Sequence, residues 1–67
     1  MIEVIVNGER RVVPAEATLL DLLGVLGLDP RIVVVEHNRT IVRRPELAQR
    51  RLAPDDAIEL VHFVGGG

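Results

Sequence analysis

Cysteine is absent from this chain, which removes disulfides, thiolate metal sites and every mechanism built on a side-chain thiol. Lysine is absent too, since all eight basic residues are arginine. Lysine amines are the usual acceptors when an activated carboxyl group acylates a protein, so within this chain only the amino group of Met1 could be acylated. Tryptophan and tyrosine are missing, and Phe63 is the single aromatic residue. No apolar run approaches the roughly 20 residues that a membrane-spanning helix needs. Neither sign of charge dominates: ten carboxylates against eight arginines leave a formal charge of -2, which does not describe a nucleic-acid binder.

What is present is enough for one small domain. With 67 residues, 48% of them hydrophobic and 27% charged, the chain reads as globular rather than disordered. A chain this short buries only roughly 60% of the surface its unfolded form exposes, so it has little core to spare. A folded, soluble monomer is expected. No basic segment followed by a small-residue cleavage site precedes the first apolar run, and a cytoplasmic location is expected from that.

The order of elements follows from local pattern. Ile2 to Val6 is apolar and β-branched apart from Glu3, Asn7-Gly8 is a turn pair, and Arg10 to Val13 resumes a strand, which together predict a hairpin. Pro14 closes the second strand. Thr18 with Asp21 three residues on forms a short-chain capping box and predicts a helix start. Leu19, Leu20, Leu22, Leu23 and Leu26 give that helix one broad apolar face, and Gly27 ends it. Leu28-Asp29-Pro30 reads as a connection. The four β-branched residues Ile32 to Val35 predict a strand near the centre of a sheet. Glu36-His37-Asn38-Arg39 reads as a turn in which Asn38 takes positive φ, and Thr40 to Val42 as a short returning strand. Pro45 opens a one-turn helix through Leu47 and Ala48. Pro54-Asp55-Asp56 is a tight turn before the last strand, Ala57 to Phe63, in which Ile58 and Leu60 alternate with Glu59 and Val61. A mixed sheet of about five strands covered by one main helix accounts for both apolar faces. The domain is expected to run over 1–64, with 65–67 as a loose glycine tail.

Three terminal glycines, Gly65-Gly66-Gly67, have no side chains to pack and lose the most entropy on ordering. They can be a plain unstructured end, or they can thread a narrow channel in a partner and carry the carboxylate of Gly67 to a reactive centre. A carboxylate is a poor acyl donor because its leaving group is poor. ATP overcomes this by forming an acyl adenylate, and attack by a sulphide or persulphide then expels AMP and leaves a terminal thiocarboxylate.

Element order, length and the ending Val61-His62-Phe63-Val64-Gly65-Gly66-Gly67 resemble the ThiS family of ubiquitin-like sulphur carriers in thiamin thiazole synthesis. The resemblance covers essentially the whole chain. Ile32-Val33-Val34-Val35-Glu36-His37-Asn38 with Ile41-Val42 is similar to the family's central hairpin, and Ala53-Pro54-Asp55-Asp56-Ala57-Ile58-Glu59 to its turn into the last strand. Asp55-Asp56 stands where the family often has Gly-Asp, a difference in a turn residue. The resemblance implies a β-grasp fold, with the family's diglycine at Gly66-Gly67 and Gly65 as an additional matching glycine. It further implies that a ThiF-type adenylating enzyme activates Gly67, that a persulphide or sulphide supplies sulphur, and that a ThiG-type thiazole synthase accepts it. The carrier itself then binds no cofactor, ATP being bound by the partner enzyme.

The remaining signals are bland. His37 and His62 are the only histidines and read as a turn residue and a strand-end residue, since two imidazoles without a third ligand do not make a metal site. No catalytic side chain is assigned. Arg43-Arg44 and Arg50-Arg51 read as solvated pairs. If Ile58 and Leu60 face the core, Val61 and Phe63 project from the other side beside the tail, and with Val64 they are candidate docking residues; for Phe63 a place at the core's edge is the second reading. Sulphur carriers of tRNA thiolation, ubiquitin-like modifiers and a plain interaction module are the alternative functions.

Overall fold

The protein is described by a computed structural model that covers residues 1–62. β1 (Ile2–Val6) and β2 (Glu9–Val13) pair antiparallel with Val6 opposite Glu9, leaving Asn7-Gly8 as a two-residue loop. Both loop residues have positive φ, 49° and 83°. That is the primed turn whose twist matches the flanking strands, and asparagine and glycine are the residues that tolerate it.

Helix α1 (Leu19–Leu26) starts as its capping box predicts. Thr18 Oγ1 accepts from the Asp21 N–H at 3.2 Å, and Asp21 Oδ2 accepts from the Thr18 N–H at 3.0 Å. It stops at Gly27, which takes φ 71° while the Leu28 N–H donates back to the Leu23 carbonyl at 2.9 Å. Its buried face is Leu19, Leu22 and Leu23. Leu20, expected on that face, is 40% exposed, and Leu26 is half-buried. The stripe of an eight-residue helix is narrower than five leucines suggest, and Leu20 lies a 100° step off it.

A 3₁₀ turn, Pro30–Ile32, follows, with Asp29 accepting from the Arg31 N–H at 2.9 Å. Ile32, expected in a strand, belongs to this turn. Strand β3 therefore runs Val33–His37, so Glu36 and His37 are strand residues rather than turn residues. The turn is Asn38-Arg39 alone, with φ 50° and 70°, and it leads to β4 (Thr40–Val42). A second 3₁₀ turn, Arg44–Glu46, contains Pro45 and delivers Leu47 to the core, where a one-turn helix was expected. The Leu52 N–H donates to the Ala17 carbonyl at 2.9 Å, tying this long connection to the start of α1.

Strand β5 (Ala57–His62) completes a sheet of order β2-β1-β5-β3-β4. β5 is the middle strand, parallel to β1 and antiparallel to β3. The apolar run expected near the centre is interior but one place off the middle. Val4, Val6, Val13, Val35, Val42, Ile58 and Leu60 point to one face of the sheet, and Leu19, Leu22 and Leu23 cover them from α1. No helix among the described residues is long and apolar enough to cross a membrane.

Candidate functional site

The strand that leads to the tail is the middle strand of the sheet and is paired on both sides. β5 pairs with β3 from Val33–His62 through His37–Ile58, and on its other side with β1 at Ile5–Ala57 and Val6–Ile58. Ile58 and Leu60 are buried, and Val61 is 61% exposed, so the alternation read from the sequence holds. Val61 stands on the outer face of the sheet opposite Val34 of β3. His62 is the last described residue of the strand, which the sequence reading runs to Phe63. The other residues named for the tail and its docking, Phe63, Val64, Gly65, Gly66 and Gly67, lie outside the described residues.

Beyond Ile58 the pairing of β5 with β1 is continued by one side chain. Asn7 Oδ1 accepts from the Leu60 N–H at 2.7 Å, and Asn7 Nδ2 donates to the Leu60 carbonyl at 3.2 Å. The amide takes the place of a peptide group from a neighbouring strand, satisfying two backbone groups that the end of β1 would leave open. Sequence reading assigned Asn7 only to the turn, and nothing local announces a contact across 53 positions. Replacing Asn7 by glycine keeps the positive φ and removes the clamp. Stability should fall by about 1–2 kcal/mol, and hydrogen exchange at the Leu60 amide should accelerate. Unchanged protection of that amide would show that the clamp does not hold the strand.

At the same end of the sheet an open cleft of about 220 Å³ lies between the β1–β2 hairpin and the residues after α1, lined by Arg11, Leu26, Leu28, Leu60 and His62 among others. It borders the last described residue of the strand.

The opposite end of β5 is anchored by a polar latch. Asp56 is the last residue before the strand, and its Oδ2 accepts from His37 Nε2–H at 2.6 Å and from the Ala53 N–H at 2.8 Å. Its Oδ1 accepts from Asn38 Nδ2 at 3.0 Å, and Asn38 Oδ1 in turn accepts from the Ala57 N–H at 2.8 Å. His37, expected in a turn, is thus a buried strand residue, and its Nδ1 has no hydrogen-bond partner among the described residues. Burial pushes the Asp56 carboxyl up. The bonds from Asn38, His37 and the Ala53 N–H outweigh that and hold it below the ordinary carboxylate range. Asp55 and Asp56 serve the turn, as read from the sequence, and Asp56 does more than that. Elsewhere, Arg31 holds the exposed Asp29 carboxyl down at about 2.

The outer face of the sheet carries Val34, Glu36, Ile41, Glu59 and Val61, with Glu36 opposite Glu59 and Ile41 opposite Glu36. Ile41 and Val61 are both more than 60% exposed.

Comparison with known proteins places this geometry. The family model described as the ThiS family matches residues 4–67. The chain is 44% identical over 50 residues to a protein of Bacillus subtilis named sulfur carrier protein ThiS, covering 75% of this chain and 76% of the relative. It is 43% identical over 65 residues to a thiazole synthase of Paramagnetospirillum magneticum, covering 97% of this chain and 20% of the relative. A thiazole synthase of Magnetococcus marinus is 46% identical over 61 residues. The chain thus spans about a fifth of the length of these two thiazole synthases. Among solved structures, the crystal structure of a thiamine biosynthesis protein (ThiS) from Geobacter metallireducens superposes with a TM-score of 0.83 at 28% identity, covering 98% of this chain and all of that one. The fold is the ubiquitin-like β-grasp.

Proposed function

The chain belongs to the ThiS family, and on that premise we propose that it carries sulphur for the thiazole of thiamin as a thiocarboxylate on Gly67. The observation that carries this reading is the reach of the family match, which runs through Gly67 and so takes in Gly65-Gly66-Gly67 along with the fold. The activation follows from the chemistry of a carboxylate. A ThiF-type enzyme joins the Gly67 carboxylate to the α-phosphate of ATP and releases pyrophosphate. Sulphide then attacks the acyl carbon, expels AMP and leaves the thiocarboxylate. Where a persulphide attacks instead, the acyl disulphide it forms is cleaved by a second thiol, which leaves as a disulphide with the donor and frees the thiocarboxylate. The product holds sulphur at the end of a segment whose glycines have no Cβ to obstruct a narrow channel.

The carrier's own share is positional. β5 is pinned by β1, β3, the Asn7 amide and the Asp56 latch, so the point from which the terminal residues depart is fixed. Val61 supplies an exposed apolar side chain on that same strand, and with Phe63 and Val64 it is assigned to the docking of partner enzymes. No side chain is assigned a catalytic role, and the nucleotide is bound by the adenylating partner. A thiazole synthase of the ThiG type is the acceptor. In two relatives that bear this name, one stretch of the same polypeptide aligns with 91% or more of the present chain, which supports a direct hand-over between carrier and synthase.

Isotope transfer tests the acceptor. With ATP, a ThiF-type enzyme and heavy-isotope sulphide, the label should pass through this chain into the product of thiazole synthase. Label appearing in thionucleosides of tRNA instead, with none in thiazole, would favour tRNA thiolation and contradict the assignment.

A further inference from the structure

The outer face of the sheet holds a feature that carrier chemistry does not use. Glu36 of β3 and Glu59 of β5 are direct cross-strand neighbours on one face. Side chains so placed stand about 4.5–5.5 Å apart at Cβ, and like charges there destabilise a sheet. Neither carboxylate is ion-paired. Among the described residues the ion pairs join Arg10 to Glu3 and Asp55, Arg31 to Asp29, and His37 to Asp56. Residues 63–67 contain no basic side chain that could change this. Arg39 and Arg43 lie two positions either side of Ile41 in sequence, yet neither comes within ion-pair distance of Glu36.

The surroundings of the pair are apolar. Ile41 stands across from Glu36 on β4, and the next pair along the strands on the same face is Val34 with Val61. Two carboxylates side by side accept one guanidinium, whose planar fork offers five donors. An apolar rim pressed against a partner would exclude water and strengthen that contact. The fold gains nothing from the repulsion, whereas a partner carrying an arginine would relieve it.

Resting on the carrier function proposed above, we propose that the Glu36–Glu59 pair receives an arginine side chain from the docking face of thiazole synthase, with Val34, Ile41 and Val61 as its apolar rim. The synthase is the partner in question because relatives join it covalently to a segment like this one. The six residue-to-residue steps from Val61 to Gly67 span at most about 20 Å, so an enzyme that holds Gly67 in its active site lies within reach of this face.

The test is titration of the cognate thiazole synthase with the wild-type chain, with Glu36→Gln/Glu59→Gln and with Glu59→Arg, each at low and high salt. Wild-type affinity should fall with salt. The double glutamine variant should bind at least about tenfold more weakly at low salt, with a flatter salt dependence, and Glu59→Arg should not bind. Thermal unfolding guards against a trivial cause: with the repulsion gone, the glutamine variant should unfold at the wild-type temperature or a few degrees above it. Variants that bind like the wild type overturn the pairing and leave the carrier function standing. A wild-type chain that does not bind the synthase at all overturns both.

Discussion

Replacing Asp56 by alanine should destabilise the fold by about 3 kcal/mol, the range for removing one partner of a largely buried, charge-assisted network. In a chain of this size that lowers the unfolding temperature by roughly 12–24 °C. Three donors lose their acceptor together: His37 Nε2–H, Asn38 Nδ2 and the Ala53 N–H. The side chains of His37 and Asp56 are only 10% and 12% exposed, so water replaces little of what is lost. The pH dependence identifies the carboxylate. Its pKa is held below the ordinary value, so its stabilisation is complete above the unfolded-state pKa of about 4 and disappears as pH falls through the lower folded-state value. Asp56→Asn keeps the shape and removes the titration. Its unfolding temperature should start lower at neutral pH and fall less steeply between about pH 5 and pH 2. Some acid sensitivity should persist, because the Asp29 carboxyl, held at about 2 by Arg31, is still present. A variant as stable as the wild type at pH 7, with an unchanged acid limb, would remove Asp56 from the account of stability.

That latch also marks the limit of what the sequence discloses. The hairpin at Asn7-Gly8, the capping box of Thr18 and Asp21 and the stop at Gly27 are local devices, each complete within a few residues, and each is legible in order along the chain. The alternation of Ile58, Glu59, Leu60 and Val61 gives the two faces of β5 and exposes Val61. His37 defeats the same approach. Beside Asn38 and Arg39 it has the composition of a turn, and it is its pairing with Ile58 and its contact with Asp56, both distant along the chain, that make it a buried strand residue. Asn7 is half legible: its turn conformation is local, whereas its hold on Leu60 depends on β1 and β5 lying parallel at the middle of the sheet. Ile32 is lost from its strand because Asp29 and Pro30 start a 3₁₀ turn that carries it along. The carboxylate pair is a matter of register, since no property of Glu36 or Glu59 alone sets one opposite the other.

Deletion of Gly67 should abolish sulphur transfer and leave the fold unchanged. Among the described residues the buried apolar core lies between Val4 and Leu60, and Gly67 has no side chain to add to it. For the chemistry the loss is severe. Shortening the chain by one residue withdraws the carboxylate by about 3.3 Å, and displacements of 1 Å at a reacting centre already lower rates by about 100-fold. The truncated chain should therefore keep the wild-type unfolding temperature while its turnover by the adenylating enzyme falls by at least about 100-fold. Wild-type turnover without Gly67 would move the reacting group elsewhere, and retained biological function without any activation would leave a β-grasp interaction module.

The central claim is that the Gly67 carboxylate is the group that carries sulphur. Intact-mass spectrometry of the whole chain, before and after incubation with ATP, a ThiF-type enzyme and sulphide, addresses it most directly. The account predicts a gain equal to the mass difference between one sulphur and one oxygen atom, localised by fragmentation to Gly67 and absent when ATP is withheld. An unchanged mass in the presence of an adenylating enzyme shown to be active, or a gain localised to any other residue, would contradict it.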